Sequence, residues 1–214
     1  MGLKLETKEI SETVEIVKTE LENVNHSIWL ERKSFRIALI STFAALAIVL
    51  GYIIAYIPNI ELFTLTIFFS GFILGKRDGM IVGFLSSFIF CFFNPLSPSP
   101  LPLLIFQLAH YSSTGLIGAL LSIFLSKKKR FNSDKDLYKI SVMVLFGCIG
   151  ALITTNFQIF ASLVYTLSFY GTINQFIPHF LAGALFTAIH IIGNTLGFIF
   201  ILPGLIQLAN KMLH

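Results

Sequence analysis

The chain has 214 residues, of which 55% are hydrophobic and 12% are charged, and 23 of them are Phe. Soluble domains carry about 25% charged residues, so this composition excludes a soluble enzyme, a nucleic-acid-binding domain and a disordered regulator. A hydrocarbon core about 30 Å thick takes about 20 helical residues to cross, and the apolar blocks of this chain allow five or six crossings. The sequence therefore predicts an all-α, polytopic membrane protein.

Two parts are predicted along the chain: an N-terminal arm over residues 1–34 and a six-helix membrane domain over residues 35–214. Apolar residues recur in the arm in steps of four and three, which predicts a cytoplasmic amphipathic helix with a narrow apolar seam. Acidic residues occupy its other faces, whereas helices that lie on anionic lipid are usually rich in Lys. We interpret the arm as pairing with a partner or with its own copy; a solvated helix packed loosely under the bundle is the alternative. The seam residues are Ile10, Val14, Val17, Leu21, Val24 and Ile28.

Six crossings are predicted in chain order, each of them an apolar run. Residues 61–75 and 79–94 should form a hairpin of two short helices around the charged triplet at 76–78. A re-entrant loop is the alternative, but it would place three charges at bilayer depth. Pro203 and Gly204 should end or kink the last helix. The predicted spans are 35–57, 61–75, 79–94, 103–126, 140–168 and 178–202.

The basic residues predict the orientation of the chain in the membrane. All 15 Lys and Arg residues fall in the arm and its junction, in two alternate connections or near the C-terminus, and the other three connections contain none. Positively charged connections stay in the cytoplasm, so we expect a multi-pass cell-membrane protein with both termini cytoplasmic. The connections without Lys or Arg, which are then external, are residues 58–61, 94–102 and 170–178.

Small residues recur every fourth position in the first crossing, at Ala47, Gly51 and Ala55. This spacing lets two helix backbones approach closely, and close packing is a main source of helix association in lipid. The stripe therefore predicts either an interface with a partner subunit or a contact with another helix of the same chain.

The sequence contains no catalytic motif and no nucleotide-binding loop, so we expect no enzyme activity, no catalytic residue, no metal site and no cofactor. Uncharged polar and aromatic side chains should instead face one another in the outer half of the bundle. Each of them is either a packing hydrogen bond or a ligand contact, and their clustering at one depth favours a small-molecule pocket. His190 and Asn194, deeper in the last helix, are interpreted as packing hydrogen bonds. The candidate binding residues are Asn59, Glu61, Asn94, Gln107, His110, Tyr111, Asn156, Gln158 and His179.

Several motifs resemble the substrate-binding (S) component of energy-coupling factor (ECF) transporters. They are Pro58-Asn59-Ile60-Glu61 through Thr64, Ser70-Gly71-Phe72-Ile73-Leu74-Gly75-Lys76-Arg77-Asp78-Gly79, Gly83, the Pro-rich loop, and Gln107 through Gly115-x-x-Gly118-Ala119. The resemblance implies a six-helix bundle that captures a vitamin-like small molecule and uses no ATP itself. It implies as partners a transmembrane scaffold subunit, which would meet the small-residue stripe of the first crossing, and two ATP-binding subunits.

Two other functions are alternatives to import. A non-transporting six-helix membrane scaffold, similar to the small proteins of rod-shape morphogenesis, would explain the heptad arm and the lack of intramembrane carboxylates. It would not explain a polar cluster in the outer half. A membrane subunit of a prenyl-diphosphate enzyme would need aspartate-rich metal motifs, which the sequence lacks.

Overall fold

The computed structural model describes residues 32–54, 57, 61–94, 97–127 and 136–213, so the arm up to residue 31, Ala55 and Asn59 lie outside the described residues. Every regular element within the described residues is helical. The elements are α1 Lys33–Ile54, α2 Phe63–Leu74, α3 Lys76–Phe92, α4 Leu101–Ser126, α5 Ile140–Tyr170, a 3-10 turn Ile173–Gln175, α6 Phe176–Ala182, α7 Ala184–Leu196, a π-helical segment Gly197–Ile201 and α8 Leu202–Leu213.

The helices have very different lengths. Four stretches of the described chain are long and apolar enough to cross a membrane: Lys33–Ile54, Leu101–Ser126, Ile140–Tyr170 and Ala184–Met212. The hairpin helices α2 and α3 have only 12 and 17 residues, or about 18 and 26 Å at 1.5 Å per residue. An α-helical membrane protein is thus confirmed, and the full count of six crossings stays a prediction.

Helix α2 forms the centre of the bundle. All residues from Phe63 to Gly71 are buried, as expected for a helix that is apolar on every side. The Phe68 ring packs edge-on against Phe198 of the π-helical segment at 5.0 Å between centroids. The Phe63 ring contacts Tyr111 of α4 at 4.8 Å. The residues that directly follow Glu61 are therefore held from several sides.

Glycines set the close packing of α2, α3 and α4. A Cβ on Gly71 would collide with the carbonyl oxygen of Gly115, and a Cβ on Gly115 would collide with the carbonyl oxygen of Gly79. Gly83 of α3 lies in the same way against the backbone carbonyl of Tyr111. In lipid, such backbone contacts replace the hydrophobic effect as the source of helix association. They fix α4, and with it Tyr111, against the hairpin.

The turn between α2 and α3 is shorter than predicted. The charged triplet does not form a connection; Gly75 alone makes the turn, with φ of +93°, and α3 begins at Lys76. Asp78 therefore lies in the first turn of α3, where the helix dipole favours a carboxylate. Arg36 of α1 donates to buried Asp78 Oδ2 from Nε at 2.8 Å and from Nη2 at 2.6 Å. This ion pair supplies the reason for the early helix start.

The last predicted crossing also differs in its course. It does not stop at Pro203; the described chain continues as α8 to Leu213. Pro203 has no N–H with which to bond the carbonyl four residues earlier. The backbone widens just before it into the π-helical segment Gly197–Ile201, in which Leu202 N–H donates to Gly197. The helix therefore continues through Pro203, with one wide π-helical turn before it.

The position of the charged residues distinguishes the two ends of the bundle. We call one end the basic end, because the described Lys and Arg residues lie there, at the start of α1, the α2–α3 turn, the end of α4, the start of α5 and the last turn of α8. The opposite end is called the Glu61 end, because Glu61 directly precedes α2 there.

Candidate binding site around Glu61

Glu61 is the centre of a polar cluster formed by α2 and α7. The hydroxyl of Thr64 donates to Glu61 Oε1 in a very short hydrogen bond. His190 Nε2 and Asn194 Nδ2 lie 3.0 and 3.3 Å from the same oxygen. Within the described part of the chain no hydrogen bond reaches Oε2, and 20% of the Glu61 side chain is accessible. Among the described residues, the carboxylate is therefore held through Oε1 alone.

Helix α5 holds the α7 side of the cluster in place. Gln158 Nε2 lies 2.6 Å from His190 Nδ1, and Asn194 Nδ2 donates to Thr154 Oγ1 at 2.9 Å. Thr154 and Gln158 lie one helical turn apart on α5, and His190 and Asn194 lie one turn apart on α7. The two members of each pair therefore share one face of their helix, and the α5 face meets the α7 face. Because both ring nitrogens of buried His190 have partners, the orientation of its ring is fixed.

Aromatic rings of α4 and α5 adjoin this cluster. The Phe157 ring lies 5.0 Å from His110, 5.7 Å from Tyr111 and 6.2 Å from His190, measured between ring centroids. Phe106 of α4 approaches Phe157 at 5.9 Å. Tilted and stacked rings at these distances attract one another beyond the effect of their burial. The rings of Phe106, His110, Tyr111 and Phe157 form what we call the aromatic wall, which adjoins the Glu61 cluster at His190.

Several buried polar atoms of the described residues are unpaired, and all of them except Thr166 Oγ1 lie near this wall or in the Glu61 cluster. A buried polar group without a partner is uncommon and costs free energy unless water or a ligand bonds to it. Such atoms within the described residues are Gln107 Oε1, His110 Nε2, Thr166 Oγ1 and Asn194 Oδ1. A cavity of about 240 Å³ lies between α4 and α5 and is lined by His110, Ser113, Thr114, Ile117, Leu152, Ile153 and Asn156. Free volume therefore adjoins the aromatic wall at His110, on the side of α4 and α5, and the residues that line it are not those of the Glu61 cluster.

Part of the predicted binding set meets at this place. Glu61 and Gln158 belong to one hydrogen-bond network, and the ring of buried Tyr111 packs edge-on against Phe63, two residues after Glu61. His110 and Asn156 line the same cavity.

The other predicted binding residues lie elsewhere or are less tightly placed. The His179 ring of α6 stacks on Tyr165 at 4.9 Å, and Tyr165 is 11 residues, or about 16 Å, further along α5 than Thr154. Partly buried Gln107 lies one turn before Tyr111 on α4. Asn94 directly follows α3 at the Glu61 end and is also partly buried.

Four members of the cluster were absent from the predicted binding set: Thr64, Thr154, His190 and Asn194. His190 and Asn194, which the sequence predicts to make packing hydrogen bonds, do bond to side chains of α5 and in addition reach Glu61. A signal was present in the sequence, because each pair of polar residues on α5 and α7 has four-residue spacing within an apolar helix. That spacing places both members on one face and indicates a shared partner.

The small-residue stripe of α1 faces the interior of the bundle. Ala47 is fully buried, and a Cβ on Gly51 would come 2.8 Å from the Phe90 ring and 3.2 Å from the Phe63 ring. These contacts match the alternative in which the stripe packs against other helices of the same chain. A partner subunit has no access to either residue in this arrangement.

A comparison with known families agrees with this architecture. The family profile described as "ECF transporter, substrate-specific component" matches residues 35–211, which is 177 of the 214 residues and includes every member of the Glu61 cluster. No curated protein and no solved structure matches the chain. The family consists of membrane-embedded subunits that bind a transported substrate and are not enzymes. The chain therefore belongs to the family of substrate-specific components of ECF transporters.

Proposed function

We propose that this protein captures a vitamin-like small molecule at the Glu61 end and delivers it to a scaffold subunit and two ATP-binding subunits that power import. The observation that carries the proposal is the convergence of α2, α5 and α7 on Glu61, beside unpaired polar atoms of α4. Polar groups that serve only packing in lipid pair with one another, because unpaired ones are costly there. A few spare polar atoms among aromatic rings are typical of a small-molecule site.

The depth of the cluster supports capture from outside the cell. Thr154 is 14 residues, or about 21 Å, along α5 from Ile140 at the basic end. With the basic end cytoplasmic, Glu61 lies in the outer part of a hydrocarbon core that is about 30 Å thick. Helix α5 continues for 12 residues beyond Gln158, or about 18 Å, so it extends past the site toward the exterior.

Helix α1 is the proposed contact for the scaffold subunit, through its outward side. Ser41 and Ala45 are exposed there, next to exposed Ile37. Two small residues one turn apart allow a neighbouring helix to come close. The sequence predicted this role for Ala47 and Gly51, which face the interior of the bundle. The proposed contact surface therefore uses residues on the side of α1 opposite Ala47.

The test is affinity purification of the tagged full-length chain from its native membranes. We expect a scaffold subunit, two ATP-binding subunits and a bound small molecule, all identified by mass spectrometry. Uptake of that compound into vesicles should require ATP. Recovery of the chain without partners and without a small molecule would contradict the proposal.

A pair of variants separates capture from assembly. Ala45→Leu should reduce recovery of the other subunits and leave the bound compound in place, because it adds bulk only to the outward side of α1. Ala188→Leu makes the same change at an exposed position of α7 and should alter neither. Equal recovery of the subunits with both variants would exclude this side of α1 as the contact.

A further inference from the structure

We infer that the compound held at the Glu61 end is a small, flat, nitrogen-containing ring system that is neutral or positively charged and donates hydrogen bonds. Carboxylates and phosphates should be rejected. The inference rests on the proposed capture function, because it names the substrate class of the same site.

The first ground is the charge of the chain around the site. Glu61 is the only Asp, Glu, Lys or Arg in residues 37–75, 79–126 and 140–210, and the other charged residues of the membrane-capable helices lie in their first or last turns at the basic end. An anion moved from water into such surroundings needs a cation as a partner, because burial of an unpaired charge is very costly. Here an anionic ligand would find no Lys or Arg and would meet the like charge of Glu61. A cation or a neutral donor would find a compensating acceptor.

The second ground is the chemical nature of the unpaired atoms. Gln107 Oε1 and Asn194 Oδ1 are unpaired and can only accept hydrogen bonds, whereas unpaired His110 Nε2 accepts or donates according to its tautomer. Glu61 Oε2, which receives no hydrogen bond from the side chains described around Oε1, is also an acceptor. The hydrogen bonds of Thr154 decide which atom of the Asn194 amide is the nitrogen. The Thr154 hydroxyl donates to the Gly150 carbonyl, so its oxygen must accept from the Asn194 atom that faces it, which is therefore Nδ2. That leaves the Asn194 oxygen unpaired and nearly fully buried. A ligand that bonds to any of these oxygens must bring N–H or O–H groups.

The third ground is the aromatic wall and the limited space beside it. Phe106, His110, Tyr111 and Phe157 present ring faces and edges within 6 Å of one another along the wall. Flat rings stack on such surfaces, and a positively charged ring gains a further attraction from the ring faces. The adjoining cavity of about 240 Å³ is smaller than the roughly 300–1,000 Å³ of sites for drug-sized ligands, which favours a compound of one or two rings.

Three pyridines with the same ring and the same substituted position provide the test. 3-(Aminomethyl)pyridine is a cation at neutral pH, nicotinamide is a neutral donor and nicotinate is an anion. Each is added at millimolar concentration, suited to fragments, to the full-length protein in lipid nanodiscs, and affinity is read from the rise in melting temperature. The amine and the amide should stabilise the protein, and nicotinate should not.

Two variants show whether Glu61 sets this preference. Glu61→Gln keeps an oxygen for the three donors but removes the charge, so it should weaken binding of the amine at least tenfold and affect nicotinamide much less. Retained nicotinamide binding also shows that the variant is folded. Ser86→Ala removes a buried hydroxyl of α3 that bonds only within its own helix, and it should leave the order of affinities unchanged.

Three outcomes would overturn the inferred class: nicotinate binding as tightly as the other two, an unchanged affinity of the amine for Glu61→Gln, or no stabilisation by any of the three. None of them would remove the capture function, which depends on recovery of the partner subunits and of a bound compound. An acidic compound that co-purifies with the chain, in the presence of those subunits, would refute the class and leave capture in place. Loss of both would refute both.

Discussion

At the scale of single residues, the unusual feature is a carboxyl group placed among apolar helices. A buried charge is tolerated only when hydrogen bonds and opposite charges compensate for the water it loses. Glu61 receives three donors at one oxygen, from Thr64, His190 and Asn194. Removal of the carboxylate should therefore take away a ligand contact, leave His190 Nε2 without its acceptor and remove one of the two acceptors of Asn194 Nδ2.

The first prediction concerns Glu61→Ala. Binding of the co-purified compound should fall at least tenfold, and the melting temperature should also fall, because each stranded buried group costs about 1–3 kcal/mol. Equilibrium binding with the radiolabelled compound and thermal unfolding in detergent measure the two effects. Gln107→Ala is the matched comparison: its oxygen is unpaired, so it should weaken binding without a loss of stability. Normal binding by both variants would remove these positions from the site.

The sequence predicted only part of this cluster, and the reason is physical. Glu61 was conspicuous in the sequence because every other acidic residue near a crossing lies beside basic residues. His190 and Asn194 did not stand out as ligands, because their role depends on which helix they face. Tertiary packing against α5 and α2 decides that, and no pattern within one helix contains it. Only their four-residue spacing indicated that they act together.

At the scale of helices, glycine positions decide how near the neighbours of α2 can come. Gly71, Gly79 and Gly115 belong to three different helices and touch one another's backbones. This contact lies below the aromatic wall, on the same helix α4 that presents His110 and Tyr111 to the site. A change in the contact should therefore move one side of the site relative to the other.

The second prediction concerns Gly115→Ala. One methyl group at this position meets the Gly79 carbonyl, which is backbone and cannot move aside, so α3 and α4 must separate. We expect a loss of about 1–3 kcal/mol, the usual cost of overpacking, together with weaker ligand binding. Thermal unfolding measures the first effect and equilibrium binding the second. Gly183→Ala is the control, since a Cβ there would find its nearest atom 3.7 Å away; equal loss in both variants would contradict the packing explanation.

Helix types were easier to predict from the sequence than helix ends and helix faces. The apolar runs predicted every helix from α1 to α5 to within a few residues, because length and hydropathy are properties of the segment alone. The start of α3 was missed, since it depends on the ion pair of Asp78 with Arg36, a residue 42 positions away. The π-helical segment was missed because Pro203 can break, kink or widen a helix, and packing of Phe198 selects among these.

At the scale of the whole molecule, unequal helix lengths shape the Glu61 end. Helix α2 spans about 18 Å and α5 about 46 Å, at 1.5 Å per residue. Hydrogen bonds place the start of α2 level with the middle of α5, through side chains of α7. The part of α5 beyond Gln158 therefore extends past the cluster, and we call the region beside it at the Glu61 end the recess.

The third prediction concerns the side of the membrane on which this recess opens. The connections at the Glu61 end have no Lys or Arg, so the positive-inside rule places them outside the cell. In a background with Cys91→Ala and Cys148→Ala, Asn174→Cys should react with a membrane-impermeant maleimide on intact cells. Lys127→Cys should react only after the cells are opened, because it lies at the basic end. The reverse pattern would turn the recess toward the cytoplasm, and a subunit with that orientation could not capture a compound from outside. The same labelling pattern at both residues would contradict an odd number of crossings between them.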